Sequence, residues 1–148
     1  RVLKAKTMPN MFMTLCLMEW NERNKGFRYV NAGHEQLIHY KAAEKKTVLK
    51  PAGGIALGMV ADIGKLLKVE DLELESGDFV VVYSDGIPEA WKNSKESYGM
   101  ERLLKAVEKC GNLETAMGMK EAILSDVEQF VEAHEQMDDI TIIVMKRV

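Results

Sequence analysis

Apolar and polar positions in the first third of the chain predict two pairs of β-strands. Residues 11–19 form an apolar run typical of a buried strand, and residues 27–31 alternate between apolar and polar side chains beyond a polar turn at 21–26. A polar loop between two such strands favours an antiparallel hairpin. Residues 37–41 and 47–50 predict a second, shorter pair on either side of a charged turn.

Two further strands are predicted in the middle of the chain. The glycine-dense segment 51–58 predicts a loop, and residues 66–74 then alternate well enough to form a strand. Residues 79–84 are rich in β-branched side chains, which predicts a strand in the centre of a sheet. This last strand is the strongest of the chain, and Asp85 lies at its end.

The apolar period changes to helical spacing in the last third of the chain. Residues 98–109 carry apolar side chains at that spacing. A longer helix is predicted after Asn112, which can cap it, with Glu114 in its first turn and a stop at the polar run 134–136. Residues 140–145 predict a final buried strand. The order of strands, two helices and a last strand predicts an α+β fold rather than alternating β–α–β units.

Composition narrows the class of protein. The chain has 148 residues, of which 47% are hydrophobic and 29% are charged, enough for the core of one domain. No apolar run approaches the roughly 20 residues of a transmembrane helix, so no membrane insertion is expected in this segment. A formal net charge of −3 without a basic stripe argues against a nucleic-acid partner. Cys16 and Cys110 match neither a disulfide framework nor a metal-binding pair, which predicts a reducing, cytoplasmic compartment.

Acidic residues stand where two predicted strands meet loops. Asp85 follows the 79–84 strand and precedes Gly86, which allows a sharp turn and the close approach of a ligand. Asp138 and Asp139 come directly before the last strand. If the two strands are neighbours, Asp85 and Asp138 converge and offer the hard oxygen ligands that Mg²⁺ or Mn²⁺ takes. The alternative is ordinary structure, because Asp-Gly is a common turn and an acid pair before a strand is often a solvated cap.

Two other features leave a functional and a structural interpretation open. His34 ends the second strand and could be a proton donor, a ligand or a hydrogen-bonded turn residue. The glycines of the 51–58 loop could cradle phosphate through backbone amides. That loop lacks the Lys-Ser/Thr pair of a P-loop, which favours a turn.

Short runs over nearly the whole chain resemble those of one protein family. In the family's order they are residues 12–15 (FMTL), 29–34 (YVNAGH), 54–58 (GIALG), 77–78 (GD), 82–90 (VYSDGIPEA), 98–99 (YG) and 138–141 (DDIT). The chain resembles the C-terminal part of the PPM-type (type 2C-like) metal-dependent protein phosphatase domain. Within that family it is most similar to the SpoIIE/RsbU-like branch of bacterial serine phosphatases.

The resemblance implies a fold and a site. The fold is an α/β/β/α sandwich with antiparallel sheets, of which this chain forms a part. In such enzymes two Mn²⁺ or Mg²⁺ ions activate a bridging water that attacks the phosphorus of phosphoserine or phosphothreonine. By motif, Asp85 and Asp138 match metal-binding aspartates, Gly86 gives the turn beside the ion, and Asp139 is a supporting neighbour. No catalytic residue beyond the metal ligands is implied, and by the same resemblance Asn31 and His34 are architectural.

The chain also departs from the family pattern. Glu35 and Gln36 stand where the branch continues with Asn/Pro-Pro, which affects a loop and not the metals. The acidic Gly-Asp-x-x-Asp and Asp-x-x-Gly-His-Gly runs of the family's earlier half are absent. We therefore expect residues 1–148 to be the C-terminal portion of a single phosphatase domain, without its N-terminal portion. Alone, such a chain should bind Mn²⁺ weakly, hydrolyse phosphoserine poorly and self-associate through uncovered strand edges.

The function implied by the resemblance is that of a protein serine/threonine phosphatase in a sigma-factor partner-switching pathway. Its substrate would be a phosphorylated protein, an anti-sigma-factor antagonist in this branch. The alternative is a non-catalytic PPM-like docking or dimerisation module. The presence of both Asp85 and Asp138 favours the enzyme, because a module without a metal has no chemical need of the pair.

Overall fold

The computed structural model describes residues 11–93, 96–132 and 138–148. These residues divide into two compact units. The first unit comprises residues 11–36 and 51–74, and the second comprises 37–50 and the described residues from 75 onwards. Asp85, Asp138 and Asp139 all belong to the second unit.

Strands and helices follow the predicted order. The described residues form, in chain order, β1 (Leu15–Asn21), β2 (Gly26–Ala32), β3 (Ile38–Lys41), β4 (Lys46–Leu49), β5 (Val69–Glu73), β6 (Phe79–Tyr83), β7 (Trp91–Asn93), β8 (Glu96–Ser97), α1 (Gly99–Lys109), a 3-10 turn (Cys110–Asn112), α2 (Ala116–Val131) and β9 (Ile142–Lys146). The predicted α+β class, with antiparallel sheets and two helices before the last strand, is confirmed.

The first unit contains a three-stranded antiparallel sheet in the order β1-β2-β5. The β1–β2 hairpin is confirmed, with Leu15 opposite Ala32 at its open end. Its turn forms because the Asn21 side chain accepts hydrogen bonds from the next backbone amides, at 3.0 Å for Arg23. The predicted start at residue 11 is wrong, because β1 begins at Leu15 and Met13 makes only an isolated bridge.

The second unit is built on a four-stranded antiparallel sheet in the order β4-β3-β6-β9. All five residues of β6 are buried, as the β-branched run predicts for a central strand. Both helices pack on this sheet, and their apolar stripes contribute Leu103, Val107, Met119 and Ile123 to one core with Phe79 and Val81. In this strand order the last strand, β9, pairs directly with β6.

The predicted cap of the longer helix is wrong. Asn112 lies in the 3-10 turn and Glu114 precedes the helix, whereas Thr115 is the capping residue. The Thr115 backbone is extended (φ −115°, ψ 144°), and its hydroxyl accepts a hydrogen bond from the Gly118 amide at 3.1 Å. Leu113, also extended, separates the two helical segments. Because both Asn and Thr are good caps, composition alone does not choose between them.

Two features of the chain's second half differ from, or lie outside, what the sequence predicts. The short β7–β8 hairpin was not predicted, and residues 94 and 95 between its strands lie outside the described residues. The polar run 134–136, predicted to stop the longer helix, also lies outside them, and α2 ends at Val131. Within the described ranges, no helix has both the length and the apolarity needed to cross a membrane.

Candidate metal centre

The register between β6 and β9 brings the two acidic segments to one edge of the sheet. These strands are antiparallel, and their last paired residues are Tyr83 and Ile142. The pairing continues one step further, where the Ser84 amide donates to the Thr141 carbonyl at 3.0 Å. Asp85 follows Ser84 as the chain leaves β6, and residues 138–139 lead into β9. The two strands that carry these acidic segments are therefore neighbours.

Gly86 allows the two segments to touch. A Cβ atom at position 86 would lie 2.5 Å from the Asp139 carbonyl oxygen and 3.5 Å from that of Asp138. Real Cβ atoms do not approach other atoms within 3.0 Å, so only glycine fits this position without movement. Gly86 is needed here for close backbone approach, which brings the residue after Asp85 against the segment that carries Asp138.

The turn after β6 is held by backbone hydrogen bonds and one buried side chain. The Asp85 carbonyl accepts from the Glu89 amide at 2.9 Å, and the Ser84 carbonyl accepts from the Ile87 amide at 3.2 Å. The Ile87 side chain is fully buried in the core of the second unit. Asp85 itself is exposed at the start of this turn, so its carboxylate stands on a fixed backbone and faces solvent.

The carboxylate of Asp138 is oriented locally. Its Oδ1 accepts a hydrogen bond from the Asp139 amide at 2.8 Å, and both residues are exposed. Carboxylate oxygens on either side of the Gly86 contact are hard donors, which suit Mg²⁺ or Mn²⁺. The residues therefore fit a divalent ion in their chemistry. In residues 11–93, 96–132 and 138–148, however, no three His, Cys, Asp or Glu side chains form a group that could hold a metal ion.

His34 belongs to a structured turn in the first unit. The Asn31 side chain accepts from the His34 amide at 2.8 Å and donates to the Glu35 carbonyl at 2.9 Å. Gly33 between them has a positive φ of 69°, which favours glycine. The His34 ring contacts the Thr14 hydroxyl at 3.3 Å. These contacts support the turn-residue interpretation of His34.

A buried histidine–aspartate pair in the second unit was missed by the sequence reasoning. His39 and Asp78 are 2% and 3% exposed, and His39 Nε2 lies 2.8 Å from Asp78 Oδ2. The same carboxylate accepts from the amides of Ala42 (2.8 Å) and Glu75 (3.1 Å). Asp78 precedes β6 whereas Asp85 follows it, so the pair lies at the opposite end of the strand from the acidic segments. Its contacts tie two turns to β3.

Burial and hydrogen bonding shift the pKa values of His39 and Asp78 in opposite directions. Burial lowers the pKa of His39, although the Asp78 carboxylate opposes that shift. Burial alone would raise the pKa of Asp78, but the hydrogen bonds from Ala42, Glu75 and His39 outweigh it and leave the pKa lowered. His39 Nδ1 is buried and has no hydrogen-bond partner among the described residues. A neutral His39 that donates from Nε2 satisfies these contacts best.

Two solved structures share the fold of this chain. The SiaA-PP2C domain of Pseudomonas aeruginosa matches with a TM-score of 0.77 at 17% identity, over 97% of this chain and 55% of that one. The Mn-presoaked phosphatase domain of SpoIIE from Bacillus subtilis matches with a TM-score of 0.66 at 18% identity, over 99% of this chain and 62% of that one. The fold is therefore that of PP2C-type phosphatase domains.

Sequence comparison then assigns the family. The Stage II sporulation protein E (SpoIIE) family matches residues 1–148, and the chain belongs to it. Phosphoserine phosphatase RsbU of Bacillus subtilis is 30% identical over 151 residues, which cover 99% of this chain and 42% of RsbU. Protein IcfG of Synechocystis sp. is 28% identical over 137 residues, or 93% of this chain and 21% of IcfG. The chain thus spans less than half the length of these relatives.

Proposed function

We propose that this chain is the C-terminal portion of a metal-dependent protein serine/threonine phosphatase domain, which hydrolyses phosphoserine and phosphothreonine. One observation carries the proposal: the β6–β9 register and the Gly86 contact put the segments of Asp85 and Asp138 side by side. Membership of the SpoIIE family and the relative named as a phosphoserine phosphatase support the same activity.

In this proposal Asp85 and Asp138 hold divalent ions, either Mn²⁺ or Mg²⁺, and two ions complete the site in the whole domain. When bound, such ions acidify a water molecule and neutralise charge on the phosphoryl oxygens. Gly86 lets the turn after β6 lie against the segment that carries Asp138, which is the arrangement the pair needs to share an ion. The Asp139 amide, which donates to Asp138 Oδ1, keeps one oxygen of that carboxylate in place. The chain's own contribution is therefore the spacing and orientation of two acids.

We further propose that the chain alone is catalytically incomplete. The structural alignment with the SpoIIE phosphatase domain covers 99% of this chain but only 62% of the SpoIIE chain. Its described residues form no group of three or more His, Cys, Asp or Glu side chains that could hold a metal ion. Because a two-ion site needs more ligands than two carboxylates, the chain by itself should bind Mn²⁺ weakly and turn over phosphoserine slowly.

The proposed partner is a phosphorylated protein domain, namely the anti-sigma-factor antagonist of a sigma-factor partner-switching pathway. This assignment is supported by similarity to RsbU alone, and no side chain of the chain identifies the substrate. A cytoplasmic site of action is proposed with it. The two cysteines are free thiols, half-buried Cys16 and buried Cys110, which agrees with a reducing compartment.

The test is Mn²⁺-dependent release of phosphate from a phosphoserine peptide, measured with the chain and with a protein that carries it within a whole domain. In the whole domain, Asp85→Asn and Asp138→Asn should each lower kcat/KM by more than about 100-fold, beyond the 10- to 100-fold effect of residues that only orient ligands. Glu121→Gln, which removes an exposed acid on α2, is the matched control and should leave kcat/KM unchanged. Turnover unaffected by both aspartate variants would contradict the proposal.

A docking or dimerisation module remains the second candidate, and one observation favours it. Strand β1 is one of the two edge strands of the first unit's sheet within the described residues, and its Leu17 side chain is 62% exposed. An unpaired strand edge with apolar side chains is a surface that readily pairs with another chain. Binding of a partner protein together with complete lack of Mn²⁺ binding would favour this module over the enzyme.

A further inference from the structure

The side chain of Ser84 joins the two acidic segments. Its hydroxyl donates to the Asp139 carbonyl oxygen at 3.0 Å and accepts from the Thr141 amide at 2.9 Å. These two partners lie two residues apart on the segment that leads into β9. One hydroxyl therefore fixes the backbone that follows Asp138, from a position directly before Asp85.

The backbone of Ser84 explains why a side chain makes these bonds. Its amide pairs with the Thr141 carbonyl, as expected for an antiparallel ladder. Its carbonyl, however, accepts from the Ile87 amide and thereby closes the turn after Asp85. Because the carbonyl is engaged in the turn, the hydroxyl accepts the hydrogen bond from the Thr141 amide instead. Ser84 thus serves both segments at once, the turn through its carbonyl and the β9 segment through its hydroxyl.

The contact continues from Ser84 to the Asp138 carboxylate. The Asp139 carbonyl that accepts from the Ser84 hydroxyl is the same group that lies against Gly86. The amide of Asp139 in turn donates to Asp138 Oδ1. The backbone of Asp139 therefore holds one oxygen of the Asp138 carboxylate through a hydrogen bond.

We infer that Ser84 is a positioning residue, which sets the spacing of the Asp85 and Asp138 carboxylates for a divalent ion. The inference rests on the proposed function, because it gives the pair a purpose only if they bind a metal. The role needs a group that donates and accepts at the same place, which a hydroxyl does. Alanine removes both bonds, cysteine keeps the size but bonds weakly, and threonine keeps the hydroxyl.

The experiment is a Mn²⁺ titration of the ¹⁵N-labelled chain, followed by the paramagnetic broadening of amide signals. In the unmodified chain, broadening should centre on Gly86 and Asp139, and Asp85→Asn should abolish it. Ser84→Ala should weaken Mn²⁺ binding roughly 10- to 100-fold, the usual effect of losing a side chain that orients a metal ligand. Ser84→Thr should restore affinity to within about threefold of the unmodified chain, because it keeps the same hydrogen-bonding group.

A matched control separates positioning from general stability. Thr115→Ala also removes a hydroxyl that accepts from a backbone amide, but at the start of α2. It should lower stability without changing Mn²⁺ affinity. If Ser84→Ala does not fold, Ser84→Cys replaces it and should also weaken binding. Unchanged Mn²⁺ affinity in the Ser84 variants overturns the positioning role alone. Lack of localised broadening in the unmodified chain overturns the metal site and the role of Ser84 together.

Discussion

Adding a single methyl group at Gly86 should separate the ends of β6 and β9. The new Cβ would lie 2.5 Å from the Asp139 carbonyl oxygen, so the two segments must move apart by about 0.9 Å to reach the 3.4 Å of an ordinary contact. Binding sites tolerate errors of only about 0.5 Å in the positions of their ligands. Gly86→Ala should therefore lower Mn²⁺ affinity at least about tenfold and cost about 1–3 kcal/mol of folding free energy, as overpacking does.

Isothermal titration with Mn²⁺ and urea denaturation measure the two effects of Gly86→Ala. The matched control is Gly53→Ala, where the added Cβ meets nothing closer than the Asn31 carbonyl oxygen at 3.9 Å. This control should retain both affinity and stability. Equal Mn²⁺ affinity in Gly86→Ala and the unmodified chain would refute the reasoning that close contact of these segments sets the metal site.

Three further predictions concern the rest of the molecule. Because burial lowers the pKa of His39, the stability that its neutral imidazole contributes should be present in full above the unfolded pKa of about 6.5 and should decline as the pH falls below it. Denaturation midpoints measured against pH should show this decline, and a decline that persists in His39→Gln would assign it to another group. Tyr98→Phe removes the 2.6 Å hydrogen bond to Asp126 and should cost about 1–2 kcal/mol in urea denaturation, whereas an unchanged midpoint would show that the bond contributes nothing. The chain should self-associate in light scattering, Leu17→Lys on β1 should weaken the association, and a monomeric unmodified chain at high concentration would contradict it.

The sequence predicts those elements in which the pattern of apolar side chains is regular over the whole element. The β6 run and the α1 stripe are examples, because burial on both faces or on one stripe leaves a direct mark on composition. The β7–β8 hairpin leaves no such mark, since its strands have three and two residues. The capping residue of α2 also escapes prediction, because Asn112 and Thr115 are both suitable and only the backbone conformation distinguishes them.

The two acids of the proposed site stand out in the sequence, but the contacts around them do not. Asp85 and Asp138 stand out because each adjoins a strong strand, and the family resemblance adds a role for each. The hydrogen bonds of the Ser84 hydroxyl were missed, since its partners lie 55 and 57 positions further along the chain. The buried pair of His39 and Asp78 was missed for the same reason, because only the pairing of distant strands and turns buries two polar side chains together.

The most direct test of the central claim is anomalous diffraction from crystals of the chain grown with Mn²⁺, recorded at the manganese absorption edge. The claim predicts a peak bonded to one oxygen each of Asp85 and Asp138, beside the Gly86 turn. That peak should disappear in Asp85→Asn. A map with no peak between the two carboxylates at saturating Mn²⁺, or with the two carboxylates turned away from each other, would contradict it.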